Sequence, residues 1–449
     1  MTHSNKAVLL CLSCVLAVAI CGCGGSSFTP APPNGFLYAS NSARPGSMAA
    51  FSVTTGTLAH IVNSPFTTNS NAAYTLAAWP PPLPSPAAAV TTKFVYGGVP
   101  ASPLGGVINR ILNRPPGSAV TGGIVLMPID TSDHTLCTPV FMSGGDYDPV
   151  AVSPTANFLY AIDLTTNTLA AFSIDSSTGA LTGIGPQGPP VGVAVGPDPF
   201  NVVVDPQAKF VFVANCDCRT NPSSHGSVQV FSINADGTLS SVGMFVPGGV
   251  ATAQPVALAV SPDSTFLFVA SLDNVVYVES IGAGGALTSV SCPVTPPSPN
   301  SPCALPPGSS PVSIAISTDG SYVYTANAGT HTISFFINCS EPNTNTATPC
   351  MGITTPLLIP SLNSSVAIGG TPGVIIPDPT NPPSSVTTIT SISGFLYVPN
   401  YDNGTVQTLS ITSVDGCAGL TNCVPGTPNV TGAAMNSGGL NPFGLAIAH

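Results

Sequence analysis

The chain has 449 residues, of which 43% are hydrophobic and only 6% charged, with 45 Gly and 49 Pro. Lys and Arg total 7 against 18 Asp and Glu, a formal net charge of −11. So few cations exclude a nucleic-acid partner, because phosphate neutralisation needs Lys and Arg. So many chain breakers exclude long helices and favour short strands joined by turns.

The first 23 residues read as a targeting segment. Lys6 precedes an apolar run, Ala7 to Ile20, which is short for a bilayer span. Ile20-Cys21-Gly22-Cys23 resembles a bacterial lipobox, with Cys23 as the lipid-bearing residue; the alternative is secretory cleavage after Ala17-Val18-Ala19. The Gly/Ser- and Pro-rich stretch 24–34 reads as a flexible tether. The expectation is export to the bacterial cell envelope, with a lipid anchor at Cys23 as the membrane attachment, and a monomer.

From residue 35 to 449 the chain repeats. Seven segments share one apolar signature: GFLYASN at Gly35–Asn41, KFVYGGV at Lys93–Val99, NFLYAID at Asn157–Asp163, KFVFVAN at Lys209–Asn215, TFLFVAS at Thr265–Ser271, SYVYTAN at Ser321–Asn327 and GFLYVPN at Gly394–Asn400. Unbroken aromatic and β-branched runs of this length suit strands covered on both faces. We name them strands b. After a loop, each is followed by a strand c, as in GSVQVFSI at Gly226–Ile233, and then by an outer strand d. A strand a precedes b six times, at Tyr74–Pro80, Pro149–Pro154, Phe200–Pro206, Val256–Pro262, Val312–Thr318 and Pro372–Pro377.

The seventh strand a is missing before Gly35 and spare at the other end, as Phe443–His449. This predicts an all-β, seven-bladed β-propeller with four antiparallel strands per blade, closed by pairing the C-terminal strand into the first blade. Asp263 and Asp319 are predicted as a–b turn residues.

The b strands ending in Val-Ala-Asn, with a strands of the type Pro-x-x-x-Ala-Val-Ser-Pro-Asp, resemble the YVTN-type repeat. They are similar to the lactonase-type seven-bladed propeller family, which includes the propeller-type 6-phosphogluconolactonases and the carboxymuconate cyclases. The resemblance spans about Gly35 to His449 and implies the fold. For activity it implies hydrolysis of a sugar lactone by basic and acidic side chains in the central mouth, with no single position carried over. A phosphosugar substrate needs a cationic pocket, and cations are scarce here.

Topology sorts the polar residues. The b–c and d–a connections emerge on one face, which carries all four arginines: Arg44, Arg110, Arg114 and Arg219. His225, His331, Tyr401 and Asp402 fall in the same class of loop. These eight residues are the candidate ligand-binding set, for a carbohydrate or protein ligand. A second reading places Arg110 and Arg114 on a solvated helix, Val107–Asn113. Asp146 and Asp148 are weak Ca²⁺ candidates, two carboxylates being few for such a site. No catalytic triad order, phosphate loop, dinucleotide fingerprint or zinc spacing is present, so no cofactor is expected and catalytic residues stay unassigned.

Two roles follow: an envelope-tethered binding module, or a lactonase-like hydrolase. Nine cysteines follow Cys23. Cys292/Cys303, Cys339/Cys350 and Cys417/Cys423 are candidate loop disulfides, and Cys137, Cys216 and Cys218 are left without an assigned partner.

Overall fold

In the computed structural model the described residues are 35–42, 46–54, 56–68, 73–79, 93–101, 121–185, 192–218, 225–290, 303–338, 358–377, 394–412 and 427–448. They form seven antiparallel blades. Strands b and c stand where the repeats place them, from Gly35–Asn41 with Ser47–Thr54 in blade 1 to Phe395–Asn400 with Thr405–Ile411 in blade 7. The inner strands a are Leu76–Trp79, Tyr147–Val152, Pro199–Val204, Pro255–Val260, Pro311–Ile316, Ile376–Pro377 and Pro442–Ala448. Each touches the next in turn, and the last touches the first, so the ring is closed around its axis.

Closure is made by the C-terminal strand. Pro442–Ala448 pairs antiparallel with Gly35–Asn41, with Leu37 opposite Ile447 and Ala39 opposite Leu445. Four inner strands open on proline: Pro199, Pro255, Pro311 and Pro442. Proline has no N–H for the ladder and is tolerated at a first strand position. Directly after it, in the same four blades, the pairing with strand b shifts register. The bulge twists the strand at the mouth.

Blades are riveted to their neighbours. The b strands point Tyr38, Tyr96, Tyr160, Phe212, Phe268, Tyr324 and Tyr397 into the inter-blade core, all fully buried. Tyr96 Oη donates to the Gly179 carbonyl at 2.7 Å and Tyr160 Oη to Gly237 at 3.3 Å, each in the c–d turn of the following blade. Beside each bond, an aromatic ring of the same b strand covers the turn glycine. A Cβ on Gly179, whose φ is 72°, would lie 2.6 Å from Phe94. Phe395 of blade 7 covers Gly56 of blade 1 in the same way, so the closing seam repeats the internal ones. Blade 2 departs from the pattern: His134, at φ 59°, occupies the left-handed turn position and stacks on Phe36 with centroids 3.5 Å apart, and its carbonyl accepts Tyr38 Oη at 3.0 Å.

Three features go beyond the repeat pattern. Blades 2 and 3 share one sheet, because Tyr147 pairs with both Val99 and Asp163. Strand a of blade 7 shrinks to Ile376–Pro377 plus a bridge from Pro372 to Asn400. Strand d of blade 1 is split into Thr57–His60 and Phe66–Thr67. Asp263 and Asp319 sit in their a–b turns, accepting from Ser261 and Ser317 hydroxyls at 2.5 Å.

Candidate functional site

The b–c loops and d–a connections share one face, and on it the seam between blades 6 and 7 gathers two of the predicted residues. His331 opens strand c of blade 6, exposed and in a left-handed backbone conformation (φ 54°). Asp402 lies exposed in the b–c loop of blade 7. Between them stands Thr371, 1% exposed, in the connection that carries the chain from blade 6 to blade 7. Its hydroxyl donates a short hydrogen bond to Asp402 Oδ2 and lies 3.4 Å from His331 Nε2.

The backbone fixes all three. Ile368 N–H donates to the His331 carbonyl at 3.2 Å, Tyr401 N–H to the Thr371 carbonyl at 2.7 Å, and Asn403 Nδ2 to the Gly369 carbonyl at 2.7 Å. With the Thr371 proton committed to Asp402, its oxygen accepts from His331 when Nε2 carries the imidazole proton. Nδ1 is then the basic nitrogen, and the Asp402 carboxylate balances the imidazolium formed when Nδ1 takes a proton. An exposed imidazole backed by a carboxylate through a hydroxyl is an arrangement for general-base activation of water.

Two of the other predicted ligand-binding residues, Tyr401 and His225, are among the described residues. Tyr401 is 4% exposed and packs in the core of blades 6 and 7. His225 is exposed on blade 4, where it lines a cavity with Asn215, Asp217 and Ser227. Arg44, Arg110, Arg114 and Arg219 lie outside the described residues, as do Cys23, Cys292, Cys339, Cys350, Cys417, Cys423, residues 107–113, and residues 1–34 with their leader and tether. Cys303 is disulfide-bonded, and Cys216 is joined to Cys218.

Asp146 and Asp148 are buried and turned to different partners. Asp148 Oδ1 accepts the Thr75 hydroxyl at 2.6 Å and so ties strand a of blade 3 to the connection entering strand a of blade 2. Asp146 accepts the Ala101 N–H and, at 3.1 Å, the Thr165 hydroxyl. Both carboxylates are thus used in holding the chain together. Among the described residues no group of three or more His, Cys, Asp or Glu is placed to hold a metal ion.

Thr371 was not visible as a site residue in the sequence. Its signal is positional: it precedes Pro372 in the slot where Asp198, Gln254, Ser310 and Asn441 precede the inner-strand prolines of other blades. The residue in that slot is polar in every one of those copies.

Residues 117–336 match the family model described as "Lactonase, 7-bladed beta-propeller". No curated protein matches the sequence. Among solved structures, a protein from Lactobacillus plantarum aligns with a TM-score of 0.60 at 16% identity, over 92% of this chain and 99% of its own. A provisionally assigned 6-phosphogluconolactonase from Bacteroides uniformis aligns at 0.57 and 16% identity, over 92% of this chain and 100% of its own. A second, from Bacteroides fragilis, gives 0.57 at 15% identity, over 94% and 100%. At such identities the structural likeness concerns the fold. Together with the family match over residues 117–336, it identifies the fold as a seven-bladed β-propeller, with its middle blades similar to the lactonase family.

Proposed function

We propose that this propeller is a lactonase-like hydrolase acting on a sugar lactone, a carboxylic ester hydrolase. The observation that carries the reading is the His331–Thr371–Asp402 relay at the mouth of a lactonase-type ring. In this scheme His331 Nδ1 takes a proton from water as the water oxygen adds to the lactone carbonyl. The imidazolium then returns the proton to the ring oxygen as the acyl C–O bond breaks. Asp402, through Thr371, holds the imidazole in the competent tautomer. The scarcity of cations favours a neutral or weakly acidic lactone over a phosphorylated one. The leader and Cys23 put the activity in the cell envelope in the same proposal.

The test is turnover by the purified chain on a panel of aldonolactones, followed by acid release. Loss of a positioned general base costs about 10²–10⁴-fold in rate, so His331→Ala is expected to lower kcat by that much. Thr371→Val removes only the link to Asp402 and is expected to lower kcat by about tenfold with KM little changed. Absence of turnover on every lactone overturns the hydrolase. Turnover that survives His331→Ala overturns the relay but leaves the hydrolase. The other role, a binding module, rests on the b–c loop positions of the arginines in the sequence and predicts retention of a carbohydrate or protein without its conversion.

A further inference from the structure

The b–c loop of blade 4 opens on a cross-link of very short span. Cys216 and Cys218 are disulfide-bonded to each other across a sequence separation of 2, with Asp217 between them at φ 52°. A disulfide stabilises mainly by closing a loop in the unfolded chain, and a loop this short gives little. Nor does the fold need the bond to hold this stretch. Cys216 N–H donates to the Asp198 carbonyl at 2.9 Å, and Asp217 N–H to the Pro197 carbonyl at 3.3 Å. One residue earlier, Asn215 is paired with Pro199 on one side and Ser227 on the other. The bond joins no two elements, since both sulfurs belong to the same turn at the end of strand b.

The two sulfurs differ in access. Cys216 is 0% exposed and packs in an apolar cluster with Phe200 and Val256. Cys218 is half-buried against the edge of the same cluster. Thiol–disulfide exchange needs an approach to one sulfur, so an incoming thiolate reaches Cys218, and Cys216 is the leaving group. Once released, Cys216 lies in apolar surroundings that keep a thiol protonated and inert. Cys303 is the contrast within the chain. It too is disulfide-bonded, but it is buried between blades, where its N–H donates to the Leu358 carbonyl and its carbonyl accepts the Val276 N–H.

We propose that Cys216–Cys218 is an exchangeable disulfide, opened by a dithiol reductant through attack at Cys218. One thiolate of the dithiol bonds to Cys218 Sγ as the bond between Cys218 and Cys216 breaks, and Cys216 Sγ takes up the proton that the attacking thiol gave up. The second thiol of the reductant then displaces Cys218, which leaves protonated, and the reductant departs as a disulfide. Two electrons and two protons pass from the dithiol to the cysteine pair. Opening releases the backbone of Asp217 from the ring. Asp217 and His225 line one cavity of about 230 Å³, so the redox state of the pair sets the shape of this part of the mouth.

The test uses the full chain, folded and oxidised, exposed to graded dithiothreitol without denaturant. Thiols are then trapped with iodoacetamide in denaturant and located by peptide mass spectrometry. The Cys216–Cys218 bond is expected to open at a dithiol concentration about tenfold or more below that needed for the Cys303 disulfide, with the far-UV circular dichroism unchanged. A monothiol, glutathione, stops the exchange at its first step, and its adduct is expected on Cys218. In the folded single variants, iodoacetamide is expected to label Cys218 in Cys216→Ser and to leave Cys216 unlabelled in Cys218→Ser; the glutathione adduct on the parent chain decides the site of attack if either variant fails to fold. The proposal is overturned if the bond stays closed at dithiol concentrations that open the Cys303 disulfide, if glutathione is found on Cys216, or if the circular dichroism is lost in step with opening, which would make the bond a structural staple.

Discussion

At the residue scale, the seam between blades 1 and 2 has a chemistry that four other described seams lack. At those seams a glycine (Gly56, Gly179, Gly237 or Gly285) fills the left-handed turn position under an aromatic ring, and here His134 fills it against Phe36. Burial lowers the His134 pKa below its ordinary 6.5, although Asp133 and Asp130 pull it the other way. The folded state therefore prefers the neutral ring, and the unfolded chain takes up the proton first. Stability from this group is present above pH 6.5 and lost as the pH falls from there toward the folded pKa. The turn aspartates act in a separate window: hydrogen bonds hold Asp175 and Asp236 below the ordinary 3.8, so their contribution is lost only in stronger acid. Urea midpoints compared at pH 8 and pH 5.5 are expected to fall for the parent chain and to change less for His134→Asn, a residue that tolerates the left-handed turn. Equal slopes for the two would remove His134 as the source. A neutral contrast is Tyr96→Phe, which leaves the Gly179 carbonyl without its donor and is expected to cost about 1 kcal/mol in the same measurement.

At the scale of the element, the b and c strands were legible because both faces are covered, which leaves unbroken apolar runs that need no phase to be recognised. The outer strands were less so. Val140–Ser143 and Leu239–Phe245 mix apolar and polar residues on a half-exposed edge, and only their turns announce them. The blade 7 inner strand failed as a prediction of length because Pro372 and Pro377 sit in it, and a proline inside a ladder removes a donor. The site was partly legible: His331 and Asp402 were singled out by loop class, but their pairing depends on Thr371, whose role comes only from ring order. One buried group had no sequence signal at all. Glu279, 3% exposed on strand c of blade 5, accepts Gly248 N–H at 2.8 Å and the Ser289 hydroxyl at 2.8 Å, and burial raises its pKa above the ordinary 4.5. A raised carboxylate pKa means that the folded state holds the proton longer than the unfolded one, so this group costs stability as pH rises past the unfolded value. Glu279→Gln keeps an acceptor in place and removes the charge, and is expected to raise Tm at pH 7 with little change at pH 4. A lower Tm at pH 7 would show that the charge itself holds the loop at Gly248.

At the scale of the whole molecule, closure decides whether seven blades behave as one. A blade buries its faces only against its neighbours, so an open array would unfold from its ends in nearest-neighbour steps. Here the ends are the same sheet. Leu37, Ala39, Leu445 and Ile447 of blade 1 pack with Phe395, Tyr397 and Val406 of blade 7 in one buried cluster. Removing residues 442–449 would strip strand b of blade 1 of its inner partner and bare both its hydrogen-bonding edge and the face of blade 7. Unfolding by urea followed with tyrosine fluorescence and far-UV circular dichroism is expected to give coincident single transitions for the parent chain and separated, shallower ones for the truncated chain. Ile447→Ala tests the same joint without breaking the ladder; a buried Ile truncated to Ala costs about 2–5 kcal/mol. The loss should appear in the one transition rather than split it, since the ring is still closed. If the truncated chain kept a single steep transition at the parent midpoint, the terminal strand would not be what couples the blades. Cooperativity would then have to come from the Tyr-to-turn rivets between internal neighbours alone.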